Sequence, residues 1–509
     1  MIDRRRFLQA LAAAGVSPAL PGCAQSAPRF AADPFALGVA SGYPHPGGMV
    51  LWSRLLGELP PVALPVRWEI AADDALSRIV ATGNAVAEPD WAHSVRVETR
   101  GLEPDRWYWY RFMAGDAVSP VGRTRTAPRP DAAVERLRFA FASCQQYEQG
   151  YYGAHRYIAA DAPDLVAFLG DYIYESSWGR EHVRKHSGGE PYTLEDYRAR
   201  YALYKSDADL QASHAACPWV VTWDDHEVDN DYADDRPEDG MPREQFLARR
   251  AAAYRAFYEH MPLPERMRPV GPDMRLHTQL GWGRLGRFYV LDGRQYRSWQ
   301  ACTRRGRRGG ANLVDPGGCR ALADPERSML GRAQERWLEG ALASSGSRWN
   351  FLAQQTRMAQ FEQKPGPERR RWTDAWDGYA AARARLLGFL EERRIANPVV
   401  LSGDAHLFNV SDLKRDFDDA RSSVVASEFL GTSISSQGWP QHRLDELLPD
   451  NPHMKLLEGR YRGYVRMDVT AKALRADLRV METVKVAGAP CSTLMSFEVA
   501  DGKAGAERA

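Results

Sequence analysis

Five short apolar segments of this chain end in loops rich in groups that bind metals or move protons. In chain order the loops bring Cys144, then Asp171 with Tyr174, then Asp224, Asp225 and His226, then Asp292 with Arg294, and last Asp404 with His406. The segments that precede them, 137–142, 164–169, 219–223, 287–291 and 398–401, read as buried strands, with a further strand at 349–353 and long helical stretches such as 243–261 and 378–394. That alternation predicts α/β architecture, in which the carboxyl ends of the strands line one crevice and residues far apart in sequence meet. One polar strand-end loop is ordinary. Five, enriched in Asp, His, Tyr, Cys and Arg, argue for a site.

Asp171, Asp225 and Asp404 cannot sit together as carboxylates without a cation, because like charges at short range restore the proton. Carboxylates with imidazole, phenolate and one thiolate suit Fe or Mn on one side and Ca or Mg on the other. Two adjacent cations can clamp a phosphate, generate hydroxide and stabilise the leaving oxygen. Asn230 is a neutral oxygen donor close to the same loop, and Asp377 is either a calcium ligand or an exposed helix N-cap. Arg294 offers the paired donors that match phosphoryl oxygens, whereas Arg297 reads as structural. Taken alone, Cys144 reads as a buried structural thiol; its place at a strand end makes it a ligand candidate.

The motifs FLGDYIYE (168–175), WDDHE (223–227), LDGRQYR (291–297), AWDGY (375–379) and LSGDAHLF (401–408) resemble, in this order, those of the PhoD-type alkaline phosphatase and phosphodiesterase family. The likeness continues at 37–55, 425–436 and 461–470, although Tyr43 stands where an Asp is usual. The resemblance implies an α/β metallophosphatase sandwich that hydrolyses phosphomonoesters and phosphodiesters, with a ferric ion and calcium as cofactors. It places Cys144, Asp171 and Tyr174 on the iron, with Asp171 bridging towards calcium. Asp225 takes the slot of an Asn in calcineurin-like metallophosphatases. His226 takes that of their catalytic His, which would hold or protonate the leaving oxygen. Asp404 and His406 belong to the last metal loop, His406 either ligating iron or orienting a ligand. Two other readings stand beside this one: a phospholipase D-type lipid-headgroup phosphodiesterase on the same scaffold, whose pocket wall would involve Trp178, Tyr192 or Trp372, and a secreted binding protein without catalysis.

Around these motifs, residues 33–128 carry strand and turn patterns without helical period. They read as an antiparallel β-sandwich that resembles a fibronectin type III module near its end. A Pro-rich linker at 129–136, a catalytic domain at 137–500 and a polar tail at 501–509 complete the expected division. Arg4, Arg5, Phe7 and Leu8 followed by a short Ala-rich run fit a twin-arginine export signal within residues 1–30. Leu20-Pro21-Gly22-Cys23 resembles a lipobox, so the leader ends either in a lipidated Cys23 and membrane attachment or in ordinary cleavage. Export to the periplasm or beyond would let Cys302 and Cys319 close their loop as a disulfide instead of remaining free thiols. With 67 Lys+Arg against 66 Asp+Glu, no polyelectrolyte surface for nucleic acid is implied, and the run 303–308 reads as solvated surface. Phosphate-ester small molecules and the export machinery are the expected partners.

Overall fold

The computed structural model describes residues 29–304 and 310–509, so the leader with Cys23 and part of the basic run lie outside the described residues. Two large sheets face one another. The first has ten strands, in which Arg136–Ala142, Leu165–Leu169 and Trp219–Thr222 run parallel at the centre. In the second, of seven strands, Gly286–Val290, Trp349–Ala353, Pro398–Ser402 and Val424–Leu430 form the parallel part. These central strands are continuous apolar runs because both faces are covered. Phe139 from the first sheet packs edge-on against Phe288 and Phe351 from the second, at 5.0 and 5.1 Å between ring centroids. Helices Gly331–Ala343 and Ala380–Glu392 cover the far side of the second sheet through Leu338, Leu342, Leu386 and Leu390.

The N-terminal region is the antiparallel sandwich that its strand and turn pattern predicts. Along Trp107–Ala114 every second residue is buried, so Tyr108, Tyr110 and Phe112 face the inner layer. Its opposite layer, however, is not independent. Val39–His45 pairs parallel with Trp219–Thr222, which makes Val39–His45, Gly48–Arg54 and Ser94–Glu98 the outer strands of the ten-stranded sheet. Ala127 is buried in the main core, so the segment just before the expected linker packs against the catalytic layers. Glu507–Arg508 adds an edge strand, and Gly505 donates to Ser427 Oγ at 3.0 Å. Cys302 and Cys319 form a disulfide.

The two sheets meet at the ends where the chemistry-bearing loops emerge. A parallel bridge between Ser143 and Ser433 joins the loop after Arg136–Ala142 to the loop after Val424–Leu430. Crevice and sheet junction therefore coincide.

Candidate metal centre

Three of the five strand-end loops are bent tightly, and the bends fall on the polar residues themselves. Cys144, Asp171, Asp404 and His406 have φ of 61°, 55°, 64° and 54°, a region that costs an L-residue about 1–2 kcal/mol. Such strain persists only where the surroundings hold it. At Asp171 the holding group is Glu227, whose buried carboxylate accepts the backbone N–H groups of Asp171 (3.0 Å), Tyr172 and Asp224 (2.7 Å). Gly170 lets those two loops approach, since a Cβ there would lie 2.6 Å from the Asp224 nitrogen. On the other side, buried Arg462 donates to the carbonyls of His406 and Ser436 and to Ser433 Oγ, fixing the last metal loop.

Three overlapping groups of candidate ligands result, each with its donor atoms within 4.8 Å of one another: Cys144, Asp171 and His406; Asp171, Asp225 and His226; Asp224, Asp225 and Asp404. Tyr174 belongs beside the first. Its hydroxyl donates to Asp171 Oδ2 at 2.9 Å, lies 3.0 Å from His406 Nε2, and accepts from Ser436 Oγ at 2.9 Å. Asp171 and Asp225 are each shared between two groups, which is the placement a bridging carboxylate needs.

Electrostatics give the cluster a strong demand for cations. Burial, followed by the fields of neighbouring carboxylates, pushes Asp171 and Asp404 well above the usual carboxylate range and Asp224 up to about 7. Burial, reinforced by Asp171, likewise pushes the thiol of Cys144 up. One oxygen each of Asp171, Asp224 and Asp225 is buried without a hydrogen-bond donor. Buried acceptors seldom stay unsatisfied, so anionic donors with orphaned oxygens fit bound cations. The donor set of thiolate, phenolate, carboxylate and imidazole at the Cys144 end is softer than the all-carboxylate group at Asp404, which suits two kinds of ion.

His226 stands at the centre with its Nδ1 2.7 Å from Glu175 Oε2 and its ring 4.1 Å from that of Tyr174. Burial alone would lower its pKa, but Glu175, Asp225 and Asp171 raise it well above the ordinary imidazole value.

Two expectations require correction. Arg294 does not present a free fork to a phosphate: its guanidinium is fully buried, pairs with Asp224 and, at 2.7 Å, with Asp374, and faces Asp225 at 3.3 Å. It lies behind the carboxylates and balances them. Asp377 is neither beside the cluster nor an exposed cap, because it is buried on the N–H of Phe361 (3.0 Å) and paired with Arg383 (2.7 Å). Asp374, three residues earlier, is the acid that reaches the site's arginines. The Asn230 backbone N–H is on Glu175 Oε1 at 3.1 Å, and its side chain bonds Glu238. Of the three aromatic candidates for the wall, only Trp178 touches the cluster. Tyr192 lies exposed over Arg249, and Trp372 lies in a short two-stranded antiparallel ladder with Leu313–Val314.

Asp224 stands among the strand-end groups of the sequence without a ligand role assigned to it, and Glu175, Asp374 and Ser436 carry no role there at all. The doublet in WDDHE was the signal for Asp224; the other three carried none beyond lying within matched motifs or next to them.

Two packed sheets that bring a thiol, carboxylates and imidazoles to one rim define a hydrolase of the metallophosphatase architecture. Comparison with known proteins agrees. The model of the PhoD-like phosphatase matches residues 139–478, and that of its N-terminal domain matches residues 22–128. Alkaline phosphatase D of Bacillus subtilis (strain 168) is 46% identical over 520 residues, which span 97% of this chain and 87% of that protein. The solved structure of PhoD superposes with a TM-score of 0.90 at 45% identity, covering 95% of this chain and 93% of the other. The chain belongs to the PhoD-like phosphatase family, and it is a phosphate ester hydrolase.

Proposed function

We propose that the protein is an exported, metal-dependent phosphoesterase acting on both phosphomonoesters and phosphodiesters. The observation that carries the reading is Asp171, shared by two ligand groups and left with an orphaned oxygen. In this assignment Cys144, Asp171, Tyr174 and His406 hold a ferric ion, and Asp171, Asp224, Asp225 and Asp404 hold calcium. When bound, the cations neutralise charge on the phosphoryl oxygens and acidify the attacking water. His226 then acts from Nε2, giving its proton to the leaving alcohol while Glu175 fixes the ring through Nδ1. Arg294 opposes protonation of Asp224 and Asp225, holds them in place and does not touch the substrate.

Breadth of substrate follows from a phosphoryl site built of cations and His226, which any ester presents in the same form. The test is a panel of nitrophenyl phosphate, bis-nitrophenyl phosphate, a nucleotide and phosphatidylcholine, assayed with calcium and with chelator. Turnover of the first three, raised by calcium, is expected. Activity confined to the phospholipid would favour a lipid-headgroup phosphodiesterase, and none at all a binding protein. Metal analysis of the same preparation should find iron with calcium, and a visible phenolate-to-iron band that Tyr174→Phe removes. Stoichiometric zinc without iron would refute that assignment.

Export rests on Arg4 and Arg5, with the Cys302–Cys319 disulfide as support from the folded chain. Replacing both arginines with Lys should leave the protein in the cytoplasm; a periplasmic double mutant would show that the leader is not of the twin-arginine type. The mass of the mature N-terminus distinguishes a lipidated Cys23 from plain cleavage.

A further inference from the structure

The unpartnered polar atoms around the cluster are of two chemical kinds. Asp171 Oδ1, Asp224 Oδ2 and Asp225 Oδ1 are acceptors, which bound cations would satisfy. Trp178 Nε1 is also buried without a partner, but it is a donor, which only an electronegative atom can satisfy. The other orphaned donors nearby belong to guanidinium groups: Arg294 Nη2 faces Asp225 at 3.3 Å and Asp404 at 3.9 Å, Arg297 Nε sits on a side chain paired with Asp374, and Arg357 Nε sits on a side chain in the field of Asp404. The indole N–H is a neutral donor, with no carboxylate facing it, whose need neither the protein nor a metal meets.

Its position ties it to the reaction site. The Trp178 ring lies parallel to the His406 imidazole, with centroids 5.7 Å apart and planes 9° apart, and its centroid is 6.2 Å from that of Tyr174. The loop that carries it is clamped by the segment just after Cys144. Gln146 Nε2 donates to the Ser176 carbonyl at 3.2 Å, Glu148 accepts from Ser177 Oγ, and Gln149 Nε2 donates to the Trp178 carbonyl at 2.7 Å. Gly179, at φ +84°, allows this clamp, because a Cβ there would fall 2.4 Å from Gln149 Nε2. A donor held this firmly is organised before its ligand arrives.

We infer that Trp178 is a substrate-binding residue whose Nε1–H donates to a non-bridging phosphoryl oxygen, while its ring walls the cleft against His406. The phosphoryl oxygens are the acceptors common to every ester and to the phosphate product, and they sit on the cluster against which the ring packs. This rests on the phosphoesterase reading above and adds to it a residue outside the metal ligands.

The test is Trp178→Phe, which keeps the aromatic wall and removes the donor, in the metal-loaded full chain. With nitrophenyl phosphate, kcat/KM should fall about tenfold and the inhibition constant of inorganic phosphate should rise about tenfold, as for the loss of one bond to a charged acceptor. Metal content and Tm should match the parent, and Trp178→His, which retains a ring N–H, should recover part of the phosphate affinity. Unchanged phosphate inhibition and kcat/KM in Trp178→Phe would overturn the inference. So would a loss matched by loss of metal, since Trp178 would then only support His406. A parent that neither turns over the ester nor binds phosphate would sink the phosphoesterase reading first, and this inference with it.

Discussion

Asp171→Asn is expected to lower turnover by roughly 1,000-fold and to strip both kinds of metal from the protein together. Asp171 sits in the Cys144–His406 group and in the Asp225–His226 group, so one substitution withdraws a charged ligand from each. The amide keeps the volume of the carboxyl, and the backbone N–H of residue 171 can still reach Glu227. Loss of activity would thus report ligand chemistry, not a collapsed loop. Asp404→Asn is the control that separates bridging from a general charge effect. Asp404 belongs only to the Asp224–Asp225 group, so its loss should release calcium while iron and the phenolate band persist. Half-normal activity in Asp171→Asn, or iron lost equally from both variants, would exclude the bridging role. Metal analysis on gel-filtered protein, with turnover of nitrophenyl phosphate, gives both readouts.

The convergence of the site was legible because strand pattern and motif reinforce each other. Continuous apolar runs ending in Gly170-Asp171 and Gly403-Asp404 mark parallel strands whose ends must share a crevice, and the structure brings Cys144, Asp171, Tyr174, Asp225, His226, Asp404 and His406 to it. The depth of each side chain was not legible. An arginine after a strand suits a phosphate equally well whether it points into the cleft or behind it, and only the packing of Asp224 and Asp374 around Arg294 decides. Asp374 and Asp377 pose the same problem. Asp377 lies within the AWDGY motif and Asp374 just before it, and the short turn at Trp376–Tyr379 sends Asp377 to Arg383 and leaves Asp374 for the site.

Fold reasoning failed in a related way at the N-terminal region. The strand and turn pattern of residues 33–128 reads as a sandwich, but the pairing of Gly42 with Trp219 depends on a partner strand more than 170 residues away. Local pattern carries no register for such a contact. The outcome matters for the site, since Trp52 on that fused layer lies over Lys205, whose other aromatic neighbour is Tyr172, next to Asp171.

Lys205 supplies the largest expected effect on stability. It ends the helix Leu194–Lys205, is 1% exposed, and among the described residues makes no ion pair. Its ammonium position is 4.3 Å from the centre of the Trp52 ring and 5.4 Å from that of Tyr172, and the nearby titratable groups His214 and His260 are imidazoles, not acids. Burial brings its pKa down from 10.5 to about 7. The sign follows directly. Between pH 7 and 10.5 the unfolded chain holds a proton that the folded chain has released, so stability rises with pH, by about 1.4 kcal/mol per unit from this group. Lys205→Met keeps the length and apolar body of the side chain and removes the titration. The variant should therefore be more stable than the parent at pH 7, with an advantage that shrinks by roughly 3–4 kcal/mol by pH 10. Taking the difference between the two proteins cancels the other titrating groups, and the depressed pKa values of His214 and His260 fall below this window. Urea midpoints at pH 7, 8.5 and 10, read on metal-loaded protein, measure it. Parallel pH profiles for parent and variant would mean that Lys205 keeps its proton on folding and is stabilised by its two rings instead.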